Sequence, residues 1–242
     1  NPSLTITDIA AVAKIAKEHN IRVVVDNTFL SPYFQKPLTL GADVVVHSGT
    51  KYLNGHADVV IGVVVTSGDQ LYADLKFMQN AIGAVASPFD SFLANRGLKT
   101  LGLRMQAHER SALAVATALE KNPRVVQVIY PGLKSHKQHE VAKRQQTGFG
   151  GMVAFRIHKD SQQYARKFLT SCKIFVLAES LGGIESLCEL PSLMTHASID
   201  EAERLKLGIT DGLIRLSCGI EDAEDLVRDV EQALLQAVPT LD

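Results

Sequence analysis

The chain has 242 residues, 46% of them hydrophobic and 21% charged, an ordinary globular composition with enough length for a sizeable core. A formal net charge of −1 excludes a broad electrostatic footprint for nucleic acid or an anionic membrane, and no apolar run approaches the roughly 18 residues of a membrane-spanning helix. The three cysteines, Cys172, Cys188 and Cys218, are odd in number and lack CxxC spacing, so they read as reduced core thiols of a cytosolic protein, with neither a disulfide frame nor a metal site.

The chain opens on Asn1-Pro2 with no methionine, signal peptide or transit peptide, and is expected to begin inside a longer chain or where an earlier segment was removed. Thr7-Asp8 predicts a capped helix over about Ile9–His19, with Ile9, Val12, Ala13 and Ala16 at helical spacing. A buried strand follows over Ile21–Val25, ending at Asp26, then a loop marked by Ser31-Pro32 and Lys36-Pro37. A second buried strand, Ala42–Val46, closes on the small turn Ser48-Gly49-Thr50-Lys51. Asn54-Gly55-His56 reads as a tight turn, and Val59–Val65 as a third strand. These continuous Val/Ile runs predict a sheet covered on both faces.

Leu71–Asn80 reads as a helix, and Phe89–Leu119 as a long helical region bent near Gly97 and Gly102. Beyond Asn122-Pro123 the texture changes. Val125–Tyr130 is a short strand, and Lys134–Gln146 is helical near its end. Met152–Ile157 is a half-buried strand, Ser161–Leu169 an amphipathic helix, and Phe175–Leu177 and Leu213–Ser217 are short runs. Asp222–Ala237 is the closing helix. The mixture predicts an α+β second domain, with the boundary near residue 102.

Two strands that each end in an ionisable residue, Asp26 and Lys51, place a candidate site at the carboxyl edge of a parallel sheet. A desolvated lysine attacks aldehydes, a carboxylate can hold a pyridinium nitrogen, and a hydroxyl-bearing glycine turn suits a phosphate. Seen alone, each has a plainer reading: a surface lysine at a strand end, or a turn-initiating aspartate.

The stretches Val24-Val25-Asp26-Asn27-Thr28-Phe29, Ser48-Gly49-Thr50-Lys51-Tyr52 and Asn54-Gly55-His56 resemble the cofactor region of the Cys/Met-metabolism group of fold-type I pyridoxal phosphate enzymes. So do residues 177–187, Met194-Thr195-His196-Ala197 and 214–222. Arg96-Gly97-Leu98-Lys99-Thr100-Leu101 and Glu189-Leu190-Pro191 add to the likeness, which runs in order through essentially the whole chain. The resemblance implies an α/β fold. Residues 1–102 would be the C-terminal part of a mostly parallel-sheet, aspartate aminotransferase-like cofactor domain, and residues 103–242 a smaller α+β C-terminal domain.

It also implies roles. Lys51 would form a Schiff base with pyridoxal 5'-phosphate and later move protons, Asp26 would partner the pyridine nitrogen, and Ser48 and Thr50 would hold the phosphate. Arg215 would grip a substrate α-carboxylate, and Ser180 and Thr195 would orient Lys51 and that carboxylate. Asn1 would touch cofactor or substrate. Glu179 would bind a distal ammonium, the mark of γ-chemistry in this group. A helix cap, a turn hydroxyl, a chain-end residue and a solvated glutamate are the plainer readings of Ser180, Thr195, Asn1 and Glu179. His56 and His196 are read as structural.

The implied reaction is γ-elimination of L-cystathionine to L-cysteine, 2-oxobutanoate and ammonia, with side activity on L-cysteine or L-homocysteine releasing hydrogen sulfide. The implied assembly is a cytoplasmic homotetramer with shared active sites and neither a nucleic-acid nor a membrane partner. A γ-synthase of the same group and a non-catalytic oligomer scaffold remain alternatives. Gly49 stands where the group usually has alanine. The group's leading segment, which carries a phosphate loop, a stacking tyrosine and an intersubunit arm, is not within this sequence.

Overall fold

The computed structural model describes residues 1–241. Helix α1 (Ile9–Glu18) starts where expected, because the Asp8 carboxylate accepts from the Ala11 amide at 3.1 Å and satisfies a free helix-end donor. Strand β1 (Val24–Asp26) is shorter than its apolar run. The segment expected as loop instead forms helix α2 (Ser31–Phe34) and a 3-10 turn, Pro37–Leu40. Each has a proline in its first turn, where the fixed φ suits a helix and the missing N–H costs nothing.

Strand β2 (Val44–Ser48) is central in a three-stranded sheet, parallel to β1 and antiparallel to β3 (Gly62–Thr66). This part of the sheet is therefore mixed. Coverage on both faces fails at its edges: Val24 on β1 is 59% exposed and Val64 on β3 is 52% exposed. Both are edge strands, and helix α3 (Asp69–Ile82) buries none of its side chains. Tyr72, Phe77 and Ile82 on α3 are exposed, as are Phe89 and Phe92 on helix α4 (Pro88–Leu98).

The expected long helix is two. It breaks at Lys99-Thr100 between α4 and α5 (Leu101–Lys121). Gly97 is a packing glycine: a Cβ there would lie 2.2 Å from the carbonyl oxygen of Asn54, so α4 presses on the turn that follows Lys51.

The remaining elements are β4 (Val125–Ile129), α6 (His139–Gln145), β5 (Met152–Ile157), a 3-10 turn (His158–Asp160), α7 (Gln162–Ser171), β6 (Val176–Leu177), β7 (Leu187–Glu189), α8 (Glu201–Lys206), β8 (Leu213–Ser217) and α9 (Ala223–Ala237). The short β7 and α8 were not anticipated. The five strands run in the order β4-β5-β8-β7-β6, antiparallel except for β6 with β7.

Strand β5 is buried on both faces, against the half-buried expectation. Val153, Phe155 and Ile157 join one core with Val115, Leu119, Phe168 and Leu234. The alternate positions Met152 and Ala154 join a second core with Phe34, Tyr52, Leu53 and Met105. Period-2 geometry sends alternate side chains to opposite faces, so one strand serves both clusters. Tyr52, fully buried, thereby fastens the Lys51 turn to the five-stranded sheet. Each large side chain so buried stabilises the fold by roughly 1.5–3 kcal/mol. Cys188 and Cys218 are buried free thiols, and Cys172 is half-buried. No described helix is long and apolar enough to cross a membrane.

Candidate active site

Lys51 leaves the end of β2 in a turn whose backbone closes on itself, the Lys51 amide donating to the Ser48 carbonyl at 3.2 Å. Its Nζ donates to Ser180 Oγ at 3.1 Å, across 129 residues of sequence. Two close approaches bring that partner in. Gly182 has φ +77°, and a Cβ there would sit 2.8 Å from the Tyr52 amide nitrogen. The Ile184 amide donates to the Gly55 carbonyl at 3.0 Å. Partial burial, and next the nearby Arg215 charge, lower the Lys51 pKa, while Glu189 opposes the shift. A larger neutral fraction of the amine is what nucleophilic attack on a carbonyl requires.

Arg215 lies on β8, 2% exposed, and β7 supplies its ion pair: Nη1 to Glu189 Oε1 at 3.0 Å. The same nitrogen donates to Asn1 Oδ1 at 3.0 Å, and Nη2 donates to the carbonyl oxygens of Glu179 at 2.9 Å and Ser180 at 3.3 Å. Thr195 Oγ1 donates to Glu189 Oε1 at 3.1 Å and lies 2.8 Å from His196 Nδ1. Lys51, Ser180, Arg215, Asn1 and Thr195 thus belong to one connected network, with Glu179 joining it through its carbonyl. The Glu179 side chain itself is exposed.

A second group sits at the ends of β1 and β2. Asp26 Oδ1 accepts from the Thr28 amide at 2.9 Å and from Thr28 Oγ1 at 2.6 Å. Thr28 Oγ1 in turn accepts from the Ser48 amide at 2.8 Å. Parallel pairing, with Asp26 opposite Val46, puts Asp26 and the Lys51 turn at the same sheet edge. Thr50 Oγ1 accepts from the Ile61 amide at 3.0 Å, which ties the turn to the start of β3. A Cβ on Gly49 would lie 2.7 Å from Ile61 Cγ2, so the glycine permits this close packing. His56 Nδ1 lies 2.7 Å from the Asn54 carbonyl oxygen.

Three residues without an assigned role belong here. Thr28 bridges Asp26 to the lysine turn, Glu189 pairs with Arg215, and Arg104 braces the turn from behind. Arg104 carried a legible signal, since it falls on the stripe of Leu101, Met105, His108 and Ala112 where a charge is anomalous. Thr28 and Glu189 gave none beyond membership in quoted stretches.

The donor set fits pyridoxal 5'-phosphate. Asp26 Oδ2 and the Ser48 hydroxyl have no hydrogen-bond partner among the described residues, and Lys51 offers an amine of lowered basicity.

Residues 1–235 match the family described as Cys/Met metabolism PLP-dependent enzyme. The chain is 62% identical over 234 residues to cystathionine gamma-lyase of Dictyostelium discoideum, covering 97% of this chain and 60% of that protein. It is 56% identical over 235 residues to cystathionine beta-lyase of Coxiella burnetii, covering 97% of this chain and 60% of that protein. The crystal structure of cystathionine gamma-lyase from Lactobacillus plantarum complexed with L-serine superposes with a TM-score of 0.95 at 46% identity, covering 98% of this chain and 62% of that one. The chain spans about 60% of the length of these curated relatives. With a match over nearly its whole length, the chain belongs to the Cys/Met-metabolism family of pyridoxal phosphate-dependent enzymes.

Proposed function

We propose that the protein is a carbon–sulfur lyase that splits L-cystathionine by γ-elimination, giving L-cysteine, 2-oxobutanoate and ammonia. The observation that carries this reading is the Lys51 amine, reduced in basicity, held by Ser180 and joined through it to the buried Arg215. Lys51 would link to pyridoxal 5'-phosphate, Asp26 would face its ring nitrogen, and Ser48, Thr50 and Asn1 would complete its contacts. When bound, the cofactor supplies an electron sink for the carbon next to the substrate amine.

The protein's own groups do the rest. Arg215 holds the α-carboxylate with a planar fork, and Ser180 and Thr195 keep Lys51 and that carboxylate in register. Lys51, as a neutral amine, would take the α-proton and carry it onward. Glu179, exposed at the same edge, attracts the distal ammonium of the substrate. One relative is named a beta-lyase, so the test must separate the two eliminations.

The test is product analysis of the full-length protein with cystathionine. 2-Oxobutanoate supports the reading. Pyruvate with homocysteine supports β-elimination, and cystathionine made from an activated homoserine ester and cysteine supports a γ-synthase. No product and no Lys51–cofactor adduct supports the scaffold alternative.

Release of hydrogen sulfide from cysteine or homocysteine, a cytoplasmic homotetramer with shared sites, and a domain boundary at 102/103 belong to the same proposal. The exposed apolar side chains Tyr72, Phe77, Ile82, Phe89 and Phe92 support a covered surface in the assembly.

A further inference from the structure

Both terminal nitrogens of Arg215 are already engaged. Its Nη1 serves Asn1 and Glu189, and its Nη2 serves two carbonyls. A guanidinium has five N–H donors, four of them on the Nη atoms, so a ligand carboxylate cannot take a bidentate grip without displacing a present partner. The displaceable one of like chemistry is Glu189, itself a carboxylate. It is 1% exposed, with Oε1 on Arg215 and Thr195 and Oε2 buried without any partner. A buried carboxylate deprived of its cation is costly and neutralises instead.

We propose that Glu189 is an internal carboxylate that holds Arg215 in place of the ligand's, and that a bound carboxylate displaces it with uptake of one proton onto Glu189. The proposal rests on the reading of Arg215 as the carboxylate site. It makes Glu189 a positioning residue that sets both the affinity and the pH dependence of carboxylate binding. The charged and titratable groups around it are Arg215 on β8, Lys51 on the turn after β2, Glu179 before β7, and His196 beside Thr195. Burial already holds the Glu189 carboxyl above its ordinary range although Arg215 pulls it down. Loss of the Arg215 contact raises it further, so the proton moves onto Glu189 as the ligand arrives.

The test is calorimetric titration of the full-length holoenzyme with propionate, which has a carboxylate and no amine to react. In wild type the Kd is expected to weaken toward high pH, by up to about tenfold per pH unit where a whole proton is taken up. Glu189→Gln is expected to bind about tenfold more tightly at the alkaline end and to lose most of that slope, and Glu189→Asp to retain it. Equal slopes in wild type and Glu189→Gln overturn the inference. Wild type alone provides a second measurement: titrations in two buffers of different ionisation enthalpy report proton uptake, and zero uptake overturns the inference without any variant. If Arg215→Lys leaves propionate binding unchanged, the reading of Arg215 itself fails.

Discussion

Arg104 donates from Nη1 to the carbonyl oxygen of Tyr52 at 2.7 Å, so a guanidinium on α5 grips the residue next to Lys51. Its Nη2 reaches the carbonyls of Gly97 at 2.8 Å and Leu53 at 3.3 Å, and Nε reaches Thr100 Oγ1 at 3.1 Å. The charge is spent on backbone oxygens, and burial lowers its pKa. A flat fork with several donors can satisfy carbonyls from two segments at once, which an ammonium cannot do with the same geometry.

Arg104→Leu should therefore leave the buried carbonyls of Tyr52 and Leu53 unpaired and cost about 2–6 kcal/mol, at about 1–3 kcal/mol for each such group. Arg104→Lys should fall between that variant and wild type. Urea unfolding midpoints measure the order. A midpoint for Arg104→Leu equal to wild type would remove Arg104 from the support of the lysine turn.

The sequence made some of this legible and hid the rest for physical reasons. β2 and the Lys51 turn were readable because a buried apolar run ending in small residues has few other folds. β5 looked half-buried because the small Ala154 and the charged Arg156 alternate with the apolar Val153, Phe155 and Ile157, and only the packing of Tyr52 and Phe34 shows that its second face is covered. The residues linked through Arg215 come from the chain start, β7, β8 and the loops between, and no spacing rule joins Asn1 to Arg215. Their grouping was readable only through resemblance. Glu189 became meaningful only when its partner and its orphaned oxygen were seen.

His108 gives a pH prediction. It is buried against Tyr52 with ring centroids 5.1 Å apart, and Nδ1 lies 2.7 Å from the Cys218 carbonyl. Burial, as the leading cause, pushes its pKa down to about 4 from 6.5. Above 6.5 both folded and unfolded forms are neutral, so it contributes no pH dependence. Between 6.5 and 4 only the unfolded chain takes the proton, and stability falls as pH falls. The loss should approach about 3 kcal/mol, from 1.36 kcal/mol per pKa unit. Unfolding curves across that window should show His108→Gln with a smaller acid loss than wild type. Parallel curves would mean that His108 titrates normally.

Lys51 should report its neighbours by reactivity. In cofactor-free protein, the pH at which acetylation of Lys51 reaches half its limiting rate should lie below the ordinary lysine value of 10.5, because burial and Arg215 disfavour its charge. The two neighbours act with opposite signs. Arg215→Gln should move the midpoint up, and Glu189→Gln, by removing a favourable anion, should move it down. Peptide mass analysis of acetylation against pH reads both shifts, and movement of both variants in one direction would contradict the assignment of causes.

Gly182 and Gly83 form a natural control pair. Both hold left-handed backbone, at φ +77° and φ +78°. A Cβ on Gly83 meets nothing within 4 Å, whereas one on Gly182 would lie 2.8 Å from the Tyr52 amide nitrogen and 3.1 Å from its ring. Gly83→Ala should cost only the conformational penalty, about 1–2 kcal/mol. Gly182→Ala pays that and must also push the Tyr52 backbone away, and a well-packed neighbour yields at a further cost of about 1–3 kcal/mol. The second cost bears on chemistry, because the segment that moves carries Lys51 on one side and Ser180 on the other. Gly182→Ala should therefore lower both the unfolding midpoint and kcat in the full-length protein, and Gly83→Ala the midpoint alone. Equal losses of midpoint in the two variants would show that the Gly182 approach is not what seats Ser180 against Lys51.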